Sequence, residues 1–84
     1  MSEAEFAILD ELYFVTPYRE LQAQCGLPEG ELAAVLWQLI EKGWVKCLAD
    51  PQEEIEVTWQ KFEQHYNHLY YLASKQGLLM HNKK

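Results

Sequence analysis

The chain has 84 residues, of which 49% are hydrophobic and 13% aromatic, and its 13 acidic and seven basic residues give a net charge of −6. This length supports one modest hydrophobic core, and the small number of glycines and prolines excludes disordered, collagen-like and low-complexity classes. No apolar run approaches the ~20 residues that a membrane-spanning helix needs, so we expect no membrane segment.

The negative charge is concentrated in the first half of the chain. Residues 1–42 contain eight acidic and only two basic residues, whereas the acidic and basic residues of 43–84 balance. Any surface formed by the first half is therefore expected to repel polyanions.

The cysteines and the amino terminus bear on the cellular compartment. Cys25 and Cys47 form no CxxC pair and have no histidine at zinc-finger spacing, which favours reduced structural thiols over a disulfide or a zinc site. The starting sequence Met-Ser-Glu-Ala-Glu lacks the basic start of a secretory signal. We therefore expect a cytoplasmic location.

A first helix is predicted to start at Ser2, because Ser2 and Glu5 have the spacing of a capping box. Its apolar residues form two neighbouring stripes that cover about half of the helix circumference. The stripes are Ala4, Ile8, Leu12 and Val15, and Phe6, Leu9 and Tyr13. Such a helix needs to be covered on two sides.

A helix-turn-helix unit is predicted to follow. Thr16-Pro17 offers an N-cap and a proline at the first helical position of a short helix that runs through Cys25, and Gly26 suits the residue after it. Leu27-Pro28 starts a third helix, which Gly43 ends. Its apolar residues at helical spacing are Leu32, Val35, Leu36, Leu39 and Ile40.

A hairpin and a fourth helix complete the predicted order. The β-prone segments 44–48 and 55–58 flank a turn at Asp50-Pro51. A fourth helix then ends near Gly77, and 78–84 is expected to be a flexible tail beyond a single domain of residues 1–77. The seam of this helix comprises Trp59, Phe62, Tyr66, Leu69 and Ala73.

Three helices, a hairpin and a closing helix, in this order, resemble the winged-helix superfamily, especially small bacterial regulators of the MarR and PadR type. The resemblance covers roughly residues 3–75. Its local markers are Leu21, Cys25-Gly26-Leu27, Leu36, Leu39 and the run from Glu41 to Val45. It implies a mainly helical fold with a small β-hairpin, a third helix that enters the DNA major groove, and a wing that meets phosphates.

The residues of the third helix argue against that DNA-binding role. DNA-binding surfaces are strongly positive, yet no basic residue occurs from Pro28 to Glu41 or from Cys47 to Gln60. On the outward face of the helix only Gln38 is suited to contact a base edge. DNA binding is the alternative function, and its candidate residues are Arg19, Gln38, Lys42 and Lys46.

The same outward face suits a protein partner better. Trp37 lies there among small and acidic residues, and aromatic side chains are the usual anchors of protein interfaces. The candidate interaction residues are Gly30, Ala33, Ala34, Trp37, Gln38 and Glu41. The alternative is that Trp37 folds back onto the wing or the fourth helix and belongs to the core.

Self-association through the first and fourth helices is a further hypothesis. The candidate residues are Phe6, Leu9, Tyr13, Phe62, Tyr66, Leu69 and Tyr70. Two heptads are fewer than a coiled coil usually has, so packing of these helices within one chain is the competing interpretation.

No catalytic or metal-binding pattern is present in the sequence. His65 and His68 are three residues apart and close to Glu63, but no third ligand is placed beside them. We expect no metal, no cofactor and no small-molecule ligand. The sequence thus favours a non-catalytic regulatory or adaptor module that acts through contacts with a partner protein or a second copy.

Overall fold

The computed structural model describes residues 1–83, apart from the side chain of Glu29. Helix α1 spans Glu3–Glu11 and begins at the predicted capping box. The Glu5 amide donates to Ser2 Oγ (3.1 Å), and the Ser2 amide donates to Glu5 Oε1 (2.9 Å). Ile8 and Leu9 of this helix are fully buried.

Helices α2 (Tyr18–Cys25) and α3 (Glu29–Glu41) form the predicted helix pair. Gly26 ends α2 in the left-handed region with φ 68°, a conformation that glycine adopts without a steric penalty. The prediction that Thr16 caps α2 is wrong, because Thr16–Pro17 forms the short strand β1. The Thr16 hydroxyl donates instead to the Phe14 carbonyl (2.8 Å).

The predicted hairpin is confirmed as strands β2 (Val45–Asp50) and β3 (Glu53–Ile55), which pair antiparallel. The Asp50 carboxylate accepts a hydrogen bond from the Gln52 amide (2.8 Å), which stabilises the turn between them. The predicted second strand, residues 55–58, overlaps β3 only at Ile55, because β3 begins at Glu53 and ends at Ile55.

The predicted long fourth helix is wrong. Residues 59–82 instead form helix α4 (Trp59–His65), a 3₁₀ turn (Tyr66–His68), strand β4 (Tyr70–Ala73) and helix α5 (Lys75–Asn82). The Tyr71 hydroxyl donates to the Tyr66 carbonyl (2.7 Å), which ties the first residue of the 3₁₀ turn to the strand. Burial alternates along β4, as expected of a strand that is half covered.

Strand β4 occupies the interior of an antiparallel sheet with the order β1-β4-β2-β3. Along β2 its register runs from Val45 opposite Ala73 to Leu48 opposite Tyr70, and along β1 it pairs Thr16 with Tyr71. Both edges of β4 are hydrogen-bonded, so backbone pairing outweighs the helical spacing of its side chains.

Helix α5 covers most of the segment that was predicted as a flexible tail; Lys84 lies outside the described residues. Ser74 caps the helix by accepting from the Gly77 amide (3.0 Å) and donates to the Gly43 carbonyl (2.6 Å). Gly77 therefore lies inside a helix rather than at its end. A Cβ at this position would overlap the carbonyl of Trp44, so the two backbones approach closely.

Within residues 1–83 the fold is mixed and mainly helical, with five α-helices and one four-stranded antiparallel sheet. The core lies where α1, α2 and α3 meet the sheet, and α4 closes one side of it. The fully buried side chains of the core are Ile8, Leu9, Leu12, Tyr18, Leu21, Leu32, Leu36, Leu39, Phe62 and Tyr71. No helix in this part of the chain is long and apolar enough to cross a membrane.

Candidate protein-interaction surface

Two tryptophans from different helices meet at the protein surface. The rings of Trp37 in α3 and Trp59 in α4 have centroids 5.4 Å apart. Trp37 is half-buried, while 47% of Trp59 is exposed. We call this region the tryptophan surface, and it consists of Gly30, Ala33, Ala34, Trp37, Gln38 and Glu41 of α3 together with Trp59 and Glu63 of α4.

Trp59 is held at the surface by the start of helix α4. Thr58 caps the helix by accepting from the Lys61 amide (3.3 Å), which makes Trp59 the first helical residue. One turn further on, Phe62 is fully buried and anchors the helix to the core. The exposed indole therefore lies beside the buried anchor of its own helix, with the Trp59 and Phe62 ring centroids 6.0 Å apart.

A chain of aromatic contacts connects the tryptophan surface to the core. The Phe62 ring lies 5.3 Å from Trp37 and 5.7 Å from Tyr66, whose ring is 5.1 Å from Tyr18. Aromatic pairs at these separations stabilise one another beyond simple burial. The rings of both tryptophans therefore pack on Phe62, which limits the side-chain entropy that they lose when a partner binds.

The surroundings of the two tryptophans are acidic. Glu41 follows Trp37 by four residues and Glu63 follows Trp59 by four residues, so each carboxylate lies on the same helix face as its indole. Both glutamates are exposed, and no ion pair within residues 1–83 involves either of them. The surface therefore combines apolar area with uncompensated negative charge.

Trp37 was predicted from the sequence as an interaction residue, whereas Trp59 was predicted to lie in the seam of the fourth helix. One signal for Trp59 was available in the sequence, because Trp-Gln-x-x-Glu occurs at both 37–41 and 59–63. The two interpretations of Trp37 each describe part of its environment. Its ring packs on α4, and it also borders the exposed residues of α3, which are Gly30, Ala34, Gln38 and Glu41, with Ala33 half-buried beside them.

The seam on which the dimer hypothesis depended does not form, because its residues are divided among α4, the 3₁₀ turn and β4. The seven candidates have different positions: Leu9, Phe62 and Leu69 are buried, Phe6, Tyr66 and Tyr70 are half-buried, and Tyr13 is exposed. Phe6 stacks on His81 of α5 at 4.2 Å, and the Tyr13 hydroxyl lies 2.7 Å from His81 Nδ1. α1 thus packs on α5 within the chain.

Two of the candidate DNA-binding cations are engaged by carboxylates. Lys42 Nζ lies 2.6 Å from Glu5 Oε2 and 4.7 Å above the ring of Trp44. Lys46 Nζ is 3.6 Å from Glu54 Oε2. The remaining candidates, Arg19 on α2 and Gln38 on α3, are both exposed.

The carboxyl group of Glu5 is buried, and its pKa depends on its hydrogen-bond and charge partners. Burial alone would raise the pKa of its carboxyl, but the Lys42 ammonium and the hydrogen bonds from Ser2 outweigh burial and hold the pKa below the ordinary 4.5. Lys42 is therefore paired with a carboxylate that stays ionised at neutral pH.

The thiols and histidines lie outside the tryptophan surface. Burial raises the pKa of Cys25 to about 11, with a smaller contribution from Glu11 and Asp10, and burial raises the pKa of Cys47 to about 12. His65 and His68 are both exposed. In the part of the chain that the structure describes, no three metal-binding side chains are grouped.

Comparison of the chain with protein-family models, with curated proteins and with solved structures gives no match.

Proposed function

We propose that this chain is a non-catalytic winged-helix module that acts as an adaptor or regulator by binding a partner protein through the tryptophan surface. The observation that carries this proposal is the exposed Trp59 packed against Trp37 of the helix-turn-helix unit. Exposed tryptophans supported by a packed core are typical anchors of protein interfaces.

The order of elements supports the winged-helix assignment. α1, α2 and α3 precede the β2-β3 hairpin, and Gly26 makes the turn of the helix pair. The C-terminal half departs from the simple pattern, because β4 rather than β3 lies between β1 and β2. Residues 53–68 are then an enlarged wing that includes α4.

The enlarged wing favours a protein partner over DNA. α4 packs against one flank of α3 through Trp37, and a recognition helix needs clearance on both flanks to enter a major groove about 12 Å wide. The exposed carboxylates of Glu41 and Glu63 add repulsion toward phosphates.

The proposal is tested by affinity purification from cells that express the protein naturally. Tagged wild type is compared with Trp59→Ala, which removes an exposed side chain, and with Phe14→Ala, which removes a still more exposed aromatic side chain elsewhere. We expect wild type and Phe14→Ala to retain the same partner proteins and Trp59→Ala to lose them. Equal recovery with all three folded proteins would contradict the proposal.

A further inference from the structure

We infer that the tryptophan surface recognises an arginine-containing basic segment of its partner protein. This inference rests on the proposed function and specifies the chemistry of the partner. It follows from the position of a carboxylate one helical turn after each indole: Glu41 after Trp37, and Glu63 after Trp59.

The protein itself contains an occupied site of the same kind. The ammonium of Lys42 lies 4.7 Å above the Trp44 ring and 2.6 Å from a carboxylate oxygen of Glu5. A cation between an indole face and a carboxylate gains from the ring quadrupole and from the ion pair together. At Trp44 this combination is satisfied within the chain.

The tryptophan surface has the same groups without the cation. Among the described residues, no lysine or arginine lies over Trp37 or Trp59, and none pairs with Glu41 or Glu63. A basic group from another molecule would therefore complete both arrangements. The net charge of −6 attracts a basic segment at long range as well.

Arginine fits this surface better than lysine. Its planar guanidinium stacks on an indole and still presents a donor pair to a carboxylate, whereas an ammonium acts as a point charge and is more strongly hydrated. The rings of Trp37 and Trp59 contact each other, with centroids 5.4 Å apart and planes inclined at 59°, and the exposed part of Trp59 offers flat apolar area to a guanidinium. Ala33 and Ala34 lie one helical turn before Trp37 on α3, and their small side chains leave room for the aliphatic stem of an arginine.

The test uses three fluorescein-labelled peptides in which six glycines alternate with six arginines, six lysines or six citrullines. Binding to the full chain is measured by fluorescence anisotropy at constant ionic strength. We expect the arginine peptide to bind most tightly, and Trp59→Ala to weaken its affinity about fivefold, the effect of losing one exposed cation–π contact. Phe14→Ala should leave the affinity unchanged.

The matched charge control separates specific recognition from general attraction to an acidic protein. Glu63→Gln and Glu20→Gln each remove one exposed carboxylate, but only Glu63 lies beside Trp59. A larger loss of affinity for Glu63→Gln supports the inference. Equal losses, equal binding of the lysine and arginine peptides, or no binding of the arginine peptide would each overturn it. If the partners recovered from cells still depend on Trp59, the proposed function survives that outcome.

Discussion

Gly77 and Gly30 provide a pair of substitutions for which local propensity and the fold give opposite answers. Both glycines lie inside helices, and on propensity alone a Gly→Ala change stabilises a helix by up to about 1 kcal/mol. At Gly30 no described atom beyond its own helix lies within 4 Å of an added Cβ. Gly30→Ala is therefore expected to raise the free energy of unfolding by about 0.5 to 1 kcal/mol.

At Gly77 the close approach of α5 to the backbone of Trp44, the residue before β2, makes the same substitution destabilising. An added Cβ would overlap the Trp44 carbonyl oxygen and come within 3.2 Å of its Cα, and neither atom can rotate away because both belong to the backbone. Moving α5 outward would stretch two hydrogen bonds of Ser74. Its amide donates to the Trp44 carbonyl (2.9 Å), and its hydroxyl donates to the Gly43 carbonyl (2.6 Å). We expect Gly77→Ala to lower the free energy of unfolding by about 1 to 3 kcal/mol.

Urea titration monitored by circular dichroism measures both variants against wild type. For a chain of this size a loss of 1 kcal/mol also lowers the melting temperature by about 4 to 8 °C. A Gly77→Ala variant as stable as wild type, or more stable, would contradict this prediction, because the α5 backbone then does not approach Trp44 as described.

Three further predictions concern charge and reactivity. In a double-mutant cycle with Glu5→Gln and Lys42→Met, we expect a coupling of about 1 kcal/mol at pH 7. Since the pKa of Glu5 is lowered from 4.5, this coupling is complete above that value and disappears as the pH falls through the lower, folded-state pKa; a coupling independent of pH would contradict the ion pair. The rate of Cys25 alkylation by iodoacetamide should rise about tenfold per pH unit up to pH 10, because the pKa of Cys25 is about 11. Cys47 should react only when the protein unfolds. A plateau of the Cys25 rate near pH 9 would argue against the burial of this thiol. Random duplex DNA at about 50 mM salt should show no mobility shift with the wild-type protein, and a steeply salt-dependent shift would favour the DNA-binding alternative.

The elements that depend on local chemistry were predictable from the sequence. The Ser2 capping box and the left-handed residues Gly26 and Gly43 act through neighbouring backbone groups, so their residue types identify them. Strand β4 was not predictable in this way. Its residues Tyr70–Ala73 continue a helical spacing, and their strand conformation depends on two partner strands that are distant in the chain.

The tryptophan surface was half predictable for the same reason. The spacing of α3 places Trp37 beside the outward face whether or not α4 is present. The exposure of Trp59 depends on the short helix that starts after Thr58. The longer helix predicted to run to Gly77 would instead place Trp59 in a buried seam. The position of the surface therefore follows from the tertiary fold, whereas its acidic and aromatic character is already present in the sequence.

Site-specific photo-crosslinking tests the central claim most directly. A p-benzoylphenylalanine in place of exposed Gln38 on α3 reports on the tryptophan surface, and one in place of exposed Leu79 on α5 reports on an apolar site elsewhere. In cells that express the protein naturally, we expect a discrete higher-mass adduct from the Gln38 position that is lost when Trp59→Ala is added. Adducts from the Leu79 position alone, or adducts at Gln38 that persist without Trp59, would contradict the claim.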